Sequence, residues 1–154
     1  KDYFDQFLKY SRSQRRVCED GRIIPWIDEN QNPYTGDWIS RTRLASWKDG
    51  GWSAEKGGVE RGKDYNHSTY CDLLISGLVG IRPQTGDNVV VHPLVPAQAW
   101  EWFCLDGVSY QGRVLTVFYD RTGKRYGRGK GFFVLVDGEV RAQAARLQEL
   151  RVSW

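Results

Sequence analysis

Glu29 is the first residue in this chain whose neighbours suit it to chemistry on water. It lies in the stretch from Ile24 to Trp38, beside Asp28, with Trp26 before it and Asp37 and Trp38 after it. A general base for water needs an ionised carboxylate held at the wall of a cleft. Carboxylates beside indole rings also suit sugars, which offer hydroxyls to the one and C–H faces to the other. The chain turns here on Asn32-Pro33 and Thr35-Gly36, which are loop signals. The same residues also read as a surface loop whose tryptophans simply pack, and composition leaves both readings open.

Two other stretches carry reactive or ligand-binding groups. His67 follows Tyr65-Asn66 at the expected start of a helix. A helix N-terminus in a cleft can offer backbone N–H groups to a hydroxylated or anionic ligand, and a capping histidine reads equally well. One histidine falls short of a metal-ligand set, so no metal site is expected. Arg121 to Lys130 holds five basic residues and one tyrosine. It lacks the Gly-Lys-Ser/Thr ending of a phosphate loop. It reads as a solvated loop between strands or as a grip for a nucleic-acid backbone.

These groups need elements to position them. Tyr3, Phe4, Phe7, Leu8 and Tyr10 recur at helical spacing, which predicts an amphipathic helix over 1–16. Asp2 and Asp5 near its start and Arg12, Arg15 and Arg16 near its end complement the helix dipole. Glu19-Asp20-Gly21 is the expected stop. Residues 21–63 form a long irregular region with four of the seven tryptophans, Trp26, Trp38, Trp47 and Trp52. Loops of this length are usually functional or disordered, and disordered segments are poor in aromatics. A second helix is expected over 64–80, capped by Asn66, Ser68 or Thr69 and stopped by Gly80. Its apolar residues fall nearly all round, so it is expected to be buried.

From Asp87 onward the pattern changes to short β runs. The expected strands are 88–92, 100–105, 108–110, 114–119, 132–136 and 150–154. Leu115, Val117 and Tyr119 alternate with Val114, Thr116 and Phe118. Asp106-Gly107, Asp120 to Gly123 and Asp137-Gly138 read as hairpin turns. The expected fold class is α+β: a few helices over 1–83 with the Trp-rich loop, then an antiparallel sheet or sandwich over 84–154.

Composition excludes several classes. The 154 residues carry 22 basic and 19 acidic side chains, a net charge of +3, too weak to argue for nucleic acid. Seven Trp, eight Tyr and six Phe suit a large core with a binding cleft. Cys18, Cys71 and Cys104 are odd in number and scattered, so they form no disulfide framework, and each reads as a buried small hydrophobe. No apolar run reaches membrane-spanning length. The sequence has no methionine and opens on Lys-Asp-Tyr-Phe, which is expected of a piece of a longer protein.

The order of motifs resembles a known family. Glu29-x3-Pro33-x-Thr35-Gly36, then a Gly-rich Trp loop, then Tyr65-Asn66-His67-Ser68-Thr69 opening a helix, resembles the last part of an (α/α)6-barrel glycoside hydrolase. The families it is similar to are glycoside hydrolase family 63 and the mannosylglycerate-hydrolase-like enzymes. His67 departs from them, standing where Trp is usual. The runs Val91 to Pro96, Phe103 to Asp106, Leu115 to Val117 and Arg125 to Gly131 look like the C-terminal β-domain of such bacterial hydrolases.

The resemblance implies an inverting glycosidase with Glu29 as general base and an acid residue upstream of Lys1. In that reading Trp26, Trp38 and Trp52 line the sugar subsite, and Asp64 and His67 hydrogen-bond sugar hydroxyls or hold the loop. The implied partners are an oligosaccharide or glycoside substrate and the remainder of the same polypeptide, with no nucleic acid, membrane, metal or cofactor. The isolated chain is expected to be inactive. The rival from another class is a non-catalytic carbohydrate-binding β-domain.

Overall fold

The computed structural model describes residues 1–17, 20–25, 34 and 69–154. The chain divides into two compact units. One comprises Asp2 and Phe4–Ser68; the other comprises Lys1, Tyr3 and Thr69–Trp154.

In the first unit α1 spans Asp2–Ser13, with Asp2 and Asp5 in its first turn and Arg12 in its last. Phe4 and Phe7 are buried, as the apolar spacing requires. The helix ends three residues earlier than expected. The Ser11 and Ser13 hydroxyls donate to the carbonyls of Phe7 and Tyr10 at 2.8 and 2.7 Å, a local bonding that competes with helix propagation. The basic run then leaves the helix as strand β1 (Arg15–Val17), antiparallel to β2 (Ile23–Pro25). Gly21, with φ at 80°, lies in the connection and not at a helix end. Asp20 accepts hydrogen bonds from the Arg22 side chain and backbone, and these hold its carboxyl below the usual range.

In the second unit a helical turn α2 (Tyr70–Asp72) follows Thr69, one of the three expected caps, although the Thr69 side chain makes no capping bond. The coil then widens over Leu73–Val79, so that the Gly80 N–H reaches the Ile75 carbonyl at 3.0 Å. Gly80 ends it in the left-handed region, φ 81°. Burial is confined to the far end. Leu78 and Val79 are buried while Cys71, Asp72 and Leu73 are exposed, so the expectation of a helix buried all round is corrected.

Two antiparallel sheets then form a sandwich-like arrangement. The first has three strands in the order β3 (Ile81–Pro83), β4 (Asn88–Val91), β9 (Leu150–Ser153). The second is a meander of β5 (Trp102–Tyr110), β6 (Arg113–Asp120), β7 (Gly131–Val136) and β8 (Glu139–Ala144). The α+β class expected from sequence is therefore observed, mostly sheet. The core holds Val89 and Val91 of the first sheet and Leu115, Val117, Phe132 and Val134 of the second. The Tyr110 hydroxyl donates to the Asn88 carbonyl at 3.0 Å and accepts from the Gln84 N–H at 2.9 Å. This ties the end of β5 to the turn between β3 and β4.

The turns correct one reading. Asp106-Gly107 is not a hairpin. It is a bulge inside one continuous strand: Leu105 pairs with Val117, Val108 pairs with Leu115, and two residues face Thr116 alone. Gly107 takes φ 71°, and the Thr116 hydroxyl donates to Asp106. The β5–β6 turn is instead Gln111-Gly112, with φ at 47° and 75°, values a two-residue hairpin turn demands. Asp137-Gly138, at 52° and 83°, turns β7 into β8 as expected.

Candidate functional site

The sequence-predicted site residues Glu29, Trp26, Trp38, Trp52, Asp64 and His67 all lie outside the described residues. Among the described residues no group of three or more His, Cys, Asp or Glu side chains could hold a metal ion. The described chemistry gathers instead on the outer face of the second sheet, at the basic loop.

The loop between β6 and β7 is organised by one carboxylate. Asp120 ends β6 and is 1% exposed. Its Oδ1 accepts the backbone N–H groups of Thr122 at 3.1 Å and Gly123 at 2.7 Å. Its Oδ2 accepts those of Arg125 at 2.7 Å and Tyr126 at 3.2 Å. Burial alone would push this carboxyl up. The four N–H donors outweigh it and hold the carboxyl below the usual range. The loop closes tightly, since a Cβ on Gly123 would lie 2.8 Å from the Lys130 nitrogen.

This arrangement predicts a specific acid sensitivity. The folded pKa lies below the unfolded value of about 3.9, so the stabilisation is fully present above that value. It is lost as pH falls through the folded pKa. Asp120→Asn keeps the size but turns an NH2 group toward two backbone donors. It is expected to cost roughly 2–3 kcal/mol at pH 7 and to remove this part of the acid dependence below about pH 4. Urea titrations of both proteins from pH 3 to 7 check it; a variant as stable as wild type refutes the assignment.

The anchored loop positions an aromatic and cationic cluster. Phe118 of β6 stacks on Phe133 of β7 at 4.7 Å, and Tyr126 meets Phe118 edge-on at 5.3 Å. Tyr126 in turn meets the Trp102 ring at 6.4 Å, nearly perpendicular. Burial pushes the Tyr126 hydroxyl up, with a smaller push from Cys104. The Arg125 guanidinium carbon sits over the Trp102 ring, 4.1 Å from its centroid. Trp102 remains 46% exposed. Arg121 is committed to Glu101 and to Gln98, the latter at 2.9 Å. Lys124, Arg128 and Lys130 are exposed and have no ion-pair partner among the described residues.

Beside the cluster a cavity of about 510 Å3 has Ala99, Trp100, Glu101, Trp102, Phe103 and Cys104 as its described walls. Cys104 and Cys71 are exposed free thiols, which corrects the expectation that both are buried. Partial burial and then the Asp106 carboxylate push the Cys104 thiol up, which makes it a poor nucleophile. The arrangement sets a cation over a half-exposed indole at the edge of this cavity.

Residues 81–140 match the family model for the glycosyl hydrolase family 65, C-terminal domain. This stretch runs from β3 into the start of β8. A solved structure named Sialidase is 39% identical, with a TM-score of 0.72 over 97% of this chain. The chain spans 12% of the length of that structure. No curated protein matches the chain. The β-sandwich is thus related to a C-terminal domain of glycoside hydrolases. The match supports the broad glycoside hydrolase resemblance and is to family 65, not to family 63.

Sequence reasoning missed Trp102, Tyr126 and the anchoring role of Asp120. The signal available was Trp100, Trp102 and Cys104 at every second position of a strand, followed downstream by an Asp at a strand end.

Proposed function

We propose that this chain is the C-terminal part of a glycoside hydrolase that works with inversion, Glu29 acting as general base. The relationship of residues 81–140 to a glycosyl hydrolase C-terminal domain supports this reading most directly. The motif order around Glu29 and His67, which resembles the end of an (α/α)6 barrel, supports the catalytic assignment. In this reading the upstream polypeptide supplies the barrel and the general acid. The acid lies roughly 6.5–9.5 Å from Glu29, leaving space for the attacking water. Trp26, Trp38 and Trp52 line the sugar subsite, and Asp64 and His67 hold sugar hydroxyls.

The test is the configuration of the first-formed product. The full-length polypeptide is incubated with a panel of α- and β-glycosides and followed by proton NMR before mutarotation. The expected product carries the anomeric configuration opposite to the substrate. Retention overturns the inverting mechanism. Binding to saccharides without turnover of any of them replaces this reading with that of a non-catalytic carbohydrate-binding domain, a role that the exposed Trp102 would suit.

A further inference from the structure

We infer that the Arg125–Trp102 cluster on the outer face of the second sheet is a binding site for carboxylate-bearing glycans. The sugar part of this inference rests on the glycoside hydrolase reading; the anionic part rests on the geometry alone. Arg125 is exposed, yet its guanidinium carbon lies over an indole ring, 4.1 Å from the centroid. A guanidinium already held against an indole and beside the Tyr126 hydroxyl has less freedom left to lose on binding. Its planar fork matches a carboxylate with two parallel hydrogen bonds.

The backbone carrying Arg125 is fixed as well. Its own N–H is bound by the buried Asp120 carboxylate at 2.7 Å, so the loop is preorganised before ligand arrives. Lys124, Arg128 and Lys130 add positive charge on the same loop, with no acidic partner among the described residues. Trp102 supplies exposed indole surface for the C–H face of a sugar, and the neighbouring cavity is within the roughly 300–1,000 Å3 typical of ligand sites.

A single-stranded nucleic acid fits less well. Such sites stack successive bases on several rings. Here Tyr126 is half-buried and Phe118 and Phe133 are buried, so Trp102 is the one exposed ring of the cluster. The basic residues are also confined to one ten-residue loop, with net charge +3 over the whole chain.

The test is calorimetry and affinity electrophoresis on the full chain, using polygalacturonate, the same polymer with its carboxyls methyl-esterified, and oligo(dT). The expected result is binding to polygalacturonate that weakens with salt and weak or no binding to the esterified polymer. Arg125→Ala and Trp102→Ala are each expected to reduce affinity at least tenfold (on the order of the loss of one charge-assisted hydrogen-bond pair). Arg125→Lys, which keeps the charge without the fork, is expected to recover only part of it. Equal affinity for the charged and esterified polymers overturns the inference, as does Arg125→Ala binding like wild type with an unchanged circular dichroism spectrum. Preference for oligo(dT) over polygalacturonate overturns it in favour of nucleic acid. None of these outcomes depends on turnover, so failure here leaves the Glu29 assignment standing.

Discussion

Glu29→Gln, introduced into the full-length polypeptide, is expected to lower kcat by roughly 10²–10⁴-fold with little change in KM. Glutamine has nearly the shape of glutamate and still accepts and donates hydrogen bonds, so sugar contacts persist. It cannot take a proton from water. In an inverting glycosidase the attacking water is activated only by that carboxylate, on the face opposite the leaving group. The loss therefore falls on the transition state and not on ground-state binding. Steady-state kinetics on a turned-over glycoside, with thermal unfolding to show an intact fold, measure it. An unchanged kcat, or a rise in KM alone, removes Glu29 from the role of base.

Gly80→Ala is expected to be the most damaging small change in the β-rich unit, at roughly 4 kcal/mol, combining left-handed strain with overpacking. Gly80 takes φ 81°, where an L side chain is strained. An added Cβ would also meet the backbone carbonyl of His92, with its oxygen 1.9 Å and its carbon 2.3 Å away. That carbonyl cannot move freely. The His92 N–H donates to the Gly80 carbonyl at 2.8 Å, and the Leu94 N–H donates to that of Leu78 at 3.0 Å. Gly107→Ala is the control: φ is 71°, but nothing lies within 4 Å of the new Cβ, so only the strain of about 1 kcal/mol remains. Urea midpoints of the two variants separate the contributions. Equal losses would show that the close approach to His92 contributes nothing.

The strands with clean alternation were legible in the residues themselves. Leu115, Val117 and Tyr119 face the core, and Val114, on the opposite face, is 48% exposed. Phe118 lies on that same outer face yet is 3% exposed, because Phe133, Leu135 and Tyr126 form a second small cluster there. Strand β8 escaped notice because Glu139–Ala144 has few apolar residues and an exposed outer run. It forms because β7 needs a partner on that side and Asp137-Gly138 turns the chain back onto it. Asp106-Gly107 misled for a physical reason: a left-handed glycine serves a bulge as well as a turn. Only pairing with β6 decides which.

By itself the sequence determined the α+β class, the amphipathic first helix, the end of the second at Gly80 and the Asp137-Gly138 turn. Each depends on local periodicity or on a backbone angle that few residues tolerate. The motif order also carried the glycoside hydrolase relationship, in its broad form. The tertiary structure alone decided the binding cluster. Trp102, Asp120 and Arg125 are separated along the chain, and their meeting follows from the register Trp102↔Asp120 across β5 and β6. Register sums weak preferences over both strands and the bulge between them, so no single stretch contains it. The same holds for Asp120, an ordinary turn residue in sequence. It becomes the loop's anchor only where the fold buries it within reach of four backbone N–H groups.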